Sequence, residues 1–527
     1  MTENFEMVAK TFQGLEDVLA EELRGLGALN VEPGNRMVSF EGDMAILYKA
    51  NMMCRTALRI LKPFYKFIAA DSDELYDRVK EYDWSRLLST DKTFAIDTTA
   101  YSDIFTHSRF VTYRVKDAIV DSFKDRLGED KRPGVRLQDA DVMINVHIAD
   151  NRVTLSLDSS GESLHKRGYR VEQTEAPINE VLAAGIILKT GWRGDCPLVD
   201  PMCGSGTFLI EAAMIAANIM PGVYRRHFAF ESWPDFDAEL FNCIYNDDSG
   251  EREFAGPIIG SDISPKAVAI ARANIKSAGV ARYVNLEVKA LSQWEEAPAD
   301  GVLITNPPYG ERIRVEDMEG LYRQMGEKFK HVFRGYHAWV IGYRDEYFRC
   351  IGLAPSVKLP MLNGSLECEL REYIIFEGDY RSFRRQGGSI KAHGDNDEKP
   401  KPRKMRRESD REWTHRAREK GYNDDNGDST VYSRPRRPKN KLEERYRPQK
   451  GRYSDAAYDR DARRRDRRGD DPMFPRHSWQ GAREPLDDDA EKRMRQRAAL
   501  RSITGKGPSL APGMRQRRGW KRPDNDD

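Results

Sequence analysis

Pro197-Leu198-Val199-Asp200-Pro201-Met202-Cys203-Gly204-Ser205-Gly206-Thr207 decides how this chain folds. A short apolar run ends in an acid, crosses a Gly-x-Gly turn and enters a helix predicted over Phe208–Ile219. Strand, glycine turn and helix in that order open an α/β sheet, and the glycines let backbone N–H groups approach a ligand closely. Two nucleotide motifs are excluded. No Gly-Lys-Ser/Thr follows, so the turn is not a P-loop, and Leu209 stands where a dinucleotide turn has its last glycine. An acid beside a shortened turn suits a ligand with an ammonium group and no pyrophosphate, namely S-adenosylmethionine. The competing reading is a tight structural turn.

The sheet continues downstream of an aromatic-rich insertion, residues 221–256, which holds Tyr224, Phe228, Phe230, Trp233, Phe236 and Phe241. Ile258-Ile259-Gly260-Ser261-Asp262-Ile263 then reads as a strand ending in an acid. A carboxylate there accepts hydrogen bonds from the ribose hydroxyls of an adenosyl group. Asp262 can also cap the helix predicted over Pro265–Ala278. Strands over Val284–Val288 and Gly301–Thr305 follow, and the second delivers Asn306-Pro307-Pro308-Tyr309. Two prolines cannot donate to a ladder, so the strand stops there. The turn gathers an amide, a proline carbonyl and an aromatic ring at a strand's C-terminal end, where open α/β sheets bind ligands. That set suits gripping the planar exocyclic amine of a base, guanine N2 or adenine N6 alike; the bland alternative is a proline-rich turn. A helix over Met318–Val332, a strand over His337–Gly342, an Asn363-Gly364 hairpin and a strand at Tyr373–Phe376 complete the pattern. A terminal antiparallel hairpin on a parallel sheet is methyltransferase wiring, not dehydrogenase wiring. The expected fold is α/β, a Rossmann-like class I methyltransferase sheet of seven strands.

Upstream, residues 1–65 and 66–165 read as two small α+β units. In the first, strands are predicted at Phe5–Ala9, Met37–Phe40 and Arg55–Ile60, the last with two outward arginines, and Asp43 caps a helix over Met44–Asn51. In the second, a helix over Arg109–Leu127 carries Val111, Val115, Ile119 and Phe123 on one stripe. Val142–Ile148 and Val153–Leu157 flank an Asp150-Asn151 hairpin turn. At the junction stands Leu164-His165-Lys166-Arg167-Gly168-Tyr169-Arg170. Basic groups around an aromatic ring suit a phosphate backbone and a base face, and equally a solvated edge with a packed tyrosine.

The formal net charge of +1 conceals a segregation: residues 381–527 carry about +16 and the first 380 about −15. The tail is rich in Arg, Lys, Asp, Gly and Pro without apolar periodicity, and is expected to be disordered. Loose RNA association and a solubilising role are both open to it. The six cysteines include no C-x-x-C pair, which argues against a zinc site or disulfide framework and fits a reducing cytosol. No basic n-region precedes an apolar segment at the N-terminus, and no apolar run approaches ~18 residues, so neither signal peptide nor membrane span is expected.

Asp200–Thr207, Gly260–Pro265 and Asn306–Arg312, with His165–Arg170 and Ala176–Glu180, resemble the bacterial THUMP-domain RNA methyltransferases. Within these, the resemblance is strongest to those acting on guanine N2 of large-subunit (23S) ribosomal RNA. It spans roughly residues 1–380. It implies a ferredoxin-like unit over 1–65, a THUMP unit over 66–165 and a catalytic domain over 166–380. It further implies that Asp200, Pro201, Cys203, Gly204, Ser205, Gly206 and Thr207 line the methionine end of the cofactor. Asp262 with Ile263 would hold its ribose end, and Asn306, Pro307, Pro308 and Tyr309 the target base. Arg109, Lys116, Lys166, Arg167, Tyr169 and Arg170 are the candidate RNA contacts; no metal is expected. Two departures stand out. Ala290 occupies a place where many methyltransferases have an acid for the adenine amine, and no second methyltransferase module follows the first. Methylation of tRNA guanine N2, methylation of adenine N6, and a non-catalytic role in ribosome assembly remain as alternatives.

Overall fold

The computed structural model describes residues 3–137, 140–309 and 317–378, with residue 385. Gly310-Glu311-Arg312 and, residue 385 apart, the tail from 381 lie outside the described residues.

The front half begins with β1 (Phe5–Lys10), α1 (Glu16–Gly25), β2 (Leu29–Gly34), β3 (Met37–Gly42), α2 (Met44–Met53) and β4 (Arg59–Ile68). It continues with α3 (Ser72–Glu81), β5 (Thr93–Tyr101), α4 (Ser108–Leu127), β6 (Gly134–Val135), β7 (Val142–Ala149) and β8 (Arg152–Asp158). β4 pairs with β1 on one side and β8 on the other, so both expected units share one sheet, ordered β2-β3-β1-β4-β8-β7-β5-β6. Asp43 caps α2 by accepting from the Ile46 N–H, and the α4 stripe Val111, Val115, Ile119 and Phe123 is buried. Two strand expectations need correction. β2 was not anticipated, because as an edge strand it is largely exposed on both faces and shows no apolar alternation. The strand expected from Arg55 starts at Arg59 instead, and Arg55 turns inward, its backbone N–H bonded to Glu22 Oε1 at 2.8 Å.

The second half comprises α5 (Glu180–Lys189), β9 (Leu198–Asp200), α6 (Thr207–Ala216), α7 (Ala238–Tyr245), β10 (Ile258–Asp262) and α8 (Pro265–Ser277). It ends with β11 (Val284–Val288), β12 (Val302–Thr305), α9 (Met318–His331), β13 (His337–Gly342), α10 (Asp345–Cys350), β14 (Val357–Asn363) and β15 (Leu366–Ile374). Among the described residues these form a seven-stranded sheet, β11-β10-β9-β12-β13-β15-β14. The first five are parallel, and β15 runs antiparallel to both β13 and β14. The central strands β9 and β12 are short and buried throughout, because helices cover both faces. Every residue of α6 is buried, as a helix without a polar side requires. The order reverses between β9 and β12, which opens a crevice at their C-terminal ends.

The insertion joins the halves. Phe228, Phe230 and Phe241 pack in one core with Tyr48 of α2, whose ring centroid lies 4.6 Å from that of Phe230.

Candidate active site

Three chain turns meet at the crevice. β9 ends in Asp200, and the chain turns at Gly204 and Gly206, both with positive φ (52° and 80°). At Gly206 an added Cβ would stand 3.1 Å from Ala271 Cβ, so the turn is pressed against α8 and needs a glycine. A Cβ on Gly204 would meet nothing closer than Thr174 Oγ1 at 3.8 Å. The space beside its Cα is open, while its N–H is bonded to Asp262.

Asp262 ends β10 and ties two turns together. Its Oδ2 accepts from the Gly204 N–H at 3.0 Å and its Oδ1 from the Ser264 N–H at 2.9 Å. The capping reading fails, because Ser264 itself caps α8 by accepting from the Ala267 N–H. Each Asp262 oxygen keeps a lone pair for a ligand hydroxyl. Ile263, beside it, is 73% exposed. Its apolar side chain is left bare just past the C-terminal end of β10.

Asp200 is buried and, among the described residues, has no cationic partner. Its Oδ1 accepts from the Met202 N–H at 3.2 Å and from the Thr305 hydroxyl at 3.1 Å. Burial is the main reason its carboxyl is pushed up to about 7, the nearby Asp262 charge adds to the shift, and the two donors oppose it. A buried carboxylate that lacks its cation fits a cationic ligand such as an amino acid ammonium. Cys203, in the same turn, is also buried, which pushes its thiol far up and makes it a poor nucleophile.

The Thr305 hydroxyl ends β12 and leads directly to Asn306. Asn306 is half-buried, Pro307 buried, and Pro308 and Tyr309 half-buried. The Tyr309 hydroxyl donates to Asn306 Oδ1 at 2.5 Å and accepts from Asn363 Nδ2 at 3.2 Å. The amide and the aromatic ring thus lie together at the crevice, as the motif suggested.

The junction segment is where the sequence misled. Arg167 and Tyr169 are interior residues, not RNA contacts. Arg167 donates to the Leu164 and Arg55 carbonyls and lies 3.5 Å from Glu211 Oε1, while the Tyr169 hydroxyl donates to Glu211 at 2.9 Å. Arg170 faces the glycine turn instead of solvent. Its guanidinium donates to Glu180 Oε1 at 2.7 Å and to Ser205 Oγ and Thr207 Oγ1 at 2.9 Å each. The acids that draw these groups inward stand 10 to 44 residues further along the chain, which is why the local pattern read as a surface. Lys166 is exposed and pairs with Glu162. Arg109 is exposed on α4, and Lys116 is half-buried and paired with Asp117. Tyr101, Ile104, Phe110 and Tyr113 are exposed around that helix start.

Asn274 of α8 was missed. It is fully buried; its Oδ1 accepts from the Val171 and Glu172 N–H groups, and its Nδ2 donates to the Glu172 and Ser205 carbonyls. It fastens the junction segment to the glycine turn. The available signal was a lone amide in an Ala- and Ile-rich stretch. At Ala290 the backbone N–H is taken by Gln293 Oε1 at 2.8 Å.

Comparison with known proteins matches three family descriptions in succession. The RlmL ferredoxin-like domain matches residues 6–61, the THUMP domain 69–158, and the RMKL-like methyltransferase domain 167–372. A Synechocystis sp. protein provisionally named an RNA methyltransferase (slr0064) is 38% identical over 371 residues, covering 70% of this chain and 96% of that one. The chain belongs to the THUMP-domain, RlmL-type methyltransferases. It is accordingly an S-adenosylmethionine-dependent RNA methyltransferase. The ribosomal RNA large subunit methyltransferase K/L of Syntrophotalea carbinolica is 40% identical over 380 residues, 69% of this chain and 53% of that protein. The chain thus spans about half the length of that relative. A provisionally named methyltransferase solved in complex with SAH (S-adenosylhomocysteine) shares 33% identity at a TM-score of 0.64, covering 72% of this chain and all of that one. Among the described residues no helix is long and apolar enough to cross a membrane.

Proposed function

We propose that this chain methylates the exocyclic N2 amine of a guanine in large-subunit (23S) ribosomal RNA. The observation that supports the reading is the Thr305 hydroxyl on Asp200, which ties the strand end that leads into Asn306 to the acid that precedes the glycine turn. S-adenosylmethionine, when bound, supplies an electrophilic methyl group. Asp200 and the backbone of 204–206 would hold its methionine end, and Asp262 its ribose. The guanine N2 lone pair is delocalised into the ring and is a weak nucleophile. Asn306 Oδ1 and the Pro307 carbonyl would each accept one of its N–H groups. That grip turns the lone pair out of the ring plane, fixes its direction of attack and stabilises the positive charge growing on nitrogen. The Tyr309 ring supplies a face for a base drawn out of its helix.

Arg109 and Lys116, with the exposed Tyr101, Phe110 and Tyr113, offer charge and stacking faces to RNA. Lys166 is a further contact. The substrate would be free ribosomal RNA or an assembly intermediate in the cytoplasm, since the base must leave its helix, and no metal takes part. The reading is tested by nucleoside mass mapping of ribosomal RNA from cells with and without the protein. Loss of one N2-methylguanine from 23S RNA is expected. Loss of an N6-methyladenine or of a tRNA methyl group would move the substrate, and unchanged RNA methylation would leave the assembly role.

A further inference from the structure

The Tyr309 hydroxyl occupies one of the two lone pairs of the acceptor that the proposed chemistry needs. It donates to Asn306 Oδ1 at 2.5 Å, and a base amine cannot share that direction of approach. The hydroxyl does not stand alone. Asn363 donates to it at 3.2 Å from the last position of β14, opposite Leu366 in the terminal hairpin. Burial pushes the phenol far above its ordinary range, so the hydroxyl stays a neutral donor at any physiological pH.

We infer that this is a closed site: Tyr309 plugs the amine pocket, and Asn363 of the terminal hairpin latches it until RNA binds. The inference rests on the methyl-transfer reading above. A flipped-out base would displace the hydroxyl from Asn306 and take its place on Oδ1, while the Tyr309 ring moves to cover the base. The terminal hairpin then acts as a positioning element for the target pocket although it carries no group that touches the reacting atoms. The closed state lowers apparent RNA affinity by the fraction of molecules that are open. It also keeps the pocket from accepting amines that bring no RNA binding energy with them.

The test compares Asn363→Ala, Tyr309→Phe and the double variant as full chains, with 23S RNA from cells lacking the protein as substrate. Loss of one hydrogen bond from the latch shifts an opening equilibrium by about fivefold. Asn363→Ala is therefore expected to lower the KM for RNA by about that factor, with kcat retained. In a Tyr309→Phe background, where no hydroxyl remains to be latched, it should change nothing further. An unchanged or raised KM in Asn363→Ala, or the same effect in both backgrounds, overturns the latch. A second readout needs no activity. With asparagine side chains labelled with ¹⁵N, Tyr309→Phe should shift the Asn306 and Asn363 amide signals in the RNA-free protein, and unmoved signals overturn the plug. Absence of methyl transfer by the unaltered chain, with those signals still shifted, would instead count against the methyl-transfer reading alone.

Discussion

At the scale of single residues, two side chains at the crevice have separable duties. On the proposed mechanism, Asn306 contributes an acceptor whose value appears only when charge develops on the amine. Asn306→Ala should therefore lower kcat by about a hundredfold or more while SAH binding, measured by calorimetry, stays within the parental range. Normal turnover would remove Asn306 from the mechanism. Asp262 touches the Gly204 turn, so Asp262→Ala should weaken SAH binding by about tenfold or more, and unchanged affinity would mean the ribose contact is misassigned. Asp200 makes the same site sensitive to pH. Burial, with no cationic partner among the described residues, pushes its carboxyl up to about 7. A cation bound beside it favours the carboxylate, so binding must release a proton wherever the free group is protonated. SAH affinity should rise by up to about tenfold per pH unit below 7 and flatten above it. A flat profile between pH 6 and 8 would show that Asp200 does not meet the ligand's charge. The same shift has the opposite sign for folding. Between 3.8 and about 7 the native state binds the extra proton, so this group's contribution to cofactor-free stability falls as pH rises.

At the scale of elements, the glycine turn depends on groups outside its own strand and helix. Arg170 holds the two hydroxyls at its end, Ser205 and Thr207, and is itself held by Glu180 at the start of α5. Arg170→Ala should weaken SAH binding by about tenfold, and Arg170→Lys should recover only part of it, since a lysine cannot hold three acceptors in one plane. Full recovery by lysine would reduce the role to charge alone. How much could be read without coordinates follows the same division. The turn at 204–206, the proline stop after Thr305 and the Asn363-Gly364 hairpin are local patterns, and each stands where its residues indicated. Arg167, Tyr169 and Arg170 misled because their partners Glu180, Ser205, Thr207 and Glu211 are distant in sequence. The same basic and aromatic composition serves a surface or an interior, and only the fold decides. β2 was hidden for the converse reason: an exposed edge strand has no buried face to impose a period of two.

At the scale of the molecule, the front half and the catalytic half behave as one body. Gly185 of α5 leaves no room for a side chain, since an added Cβ would stand 2.4 Å from Leu15 Cδ1. Arg225, from the insertion, donates to the carbonyls of Ser160, Glu162, Ser163 and Lys166, riveting the junction segment from its far side. Gly168 passes so close to Tyr224 that a Cβ would lie 2.2 Å from its carbonyl oxygen. Arg167 and Glu211 complete a buried polar contact between the junction and the cofactor helix α6. Such an interface resists hinging and holds the α4 surface in a fixed relation to Asn306; on the proposed function, a substrate would have to fit both together. Cutting the chain at the junction would bare Phe228, Phe230, Trp233 and Phe241, each worth roughly 1.5–3 kcal/mol when buried. It would also strip Arg225 of three of its four acceptors, the carbonyls of Ser160, Glu162 and Ser163. Residues 1–380 should therefore unfold in a single thermal transition, and a fragment of residues 166–380 should aggregate or fail to bind SAH. A monomeric fragment binding SAH with the parental affinity would mean that the catalytic domain stands alone and that the front half is a tether, with no part in shaping the site.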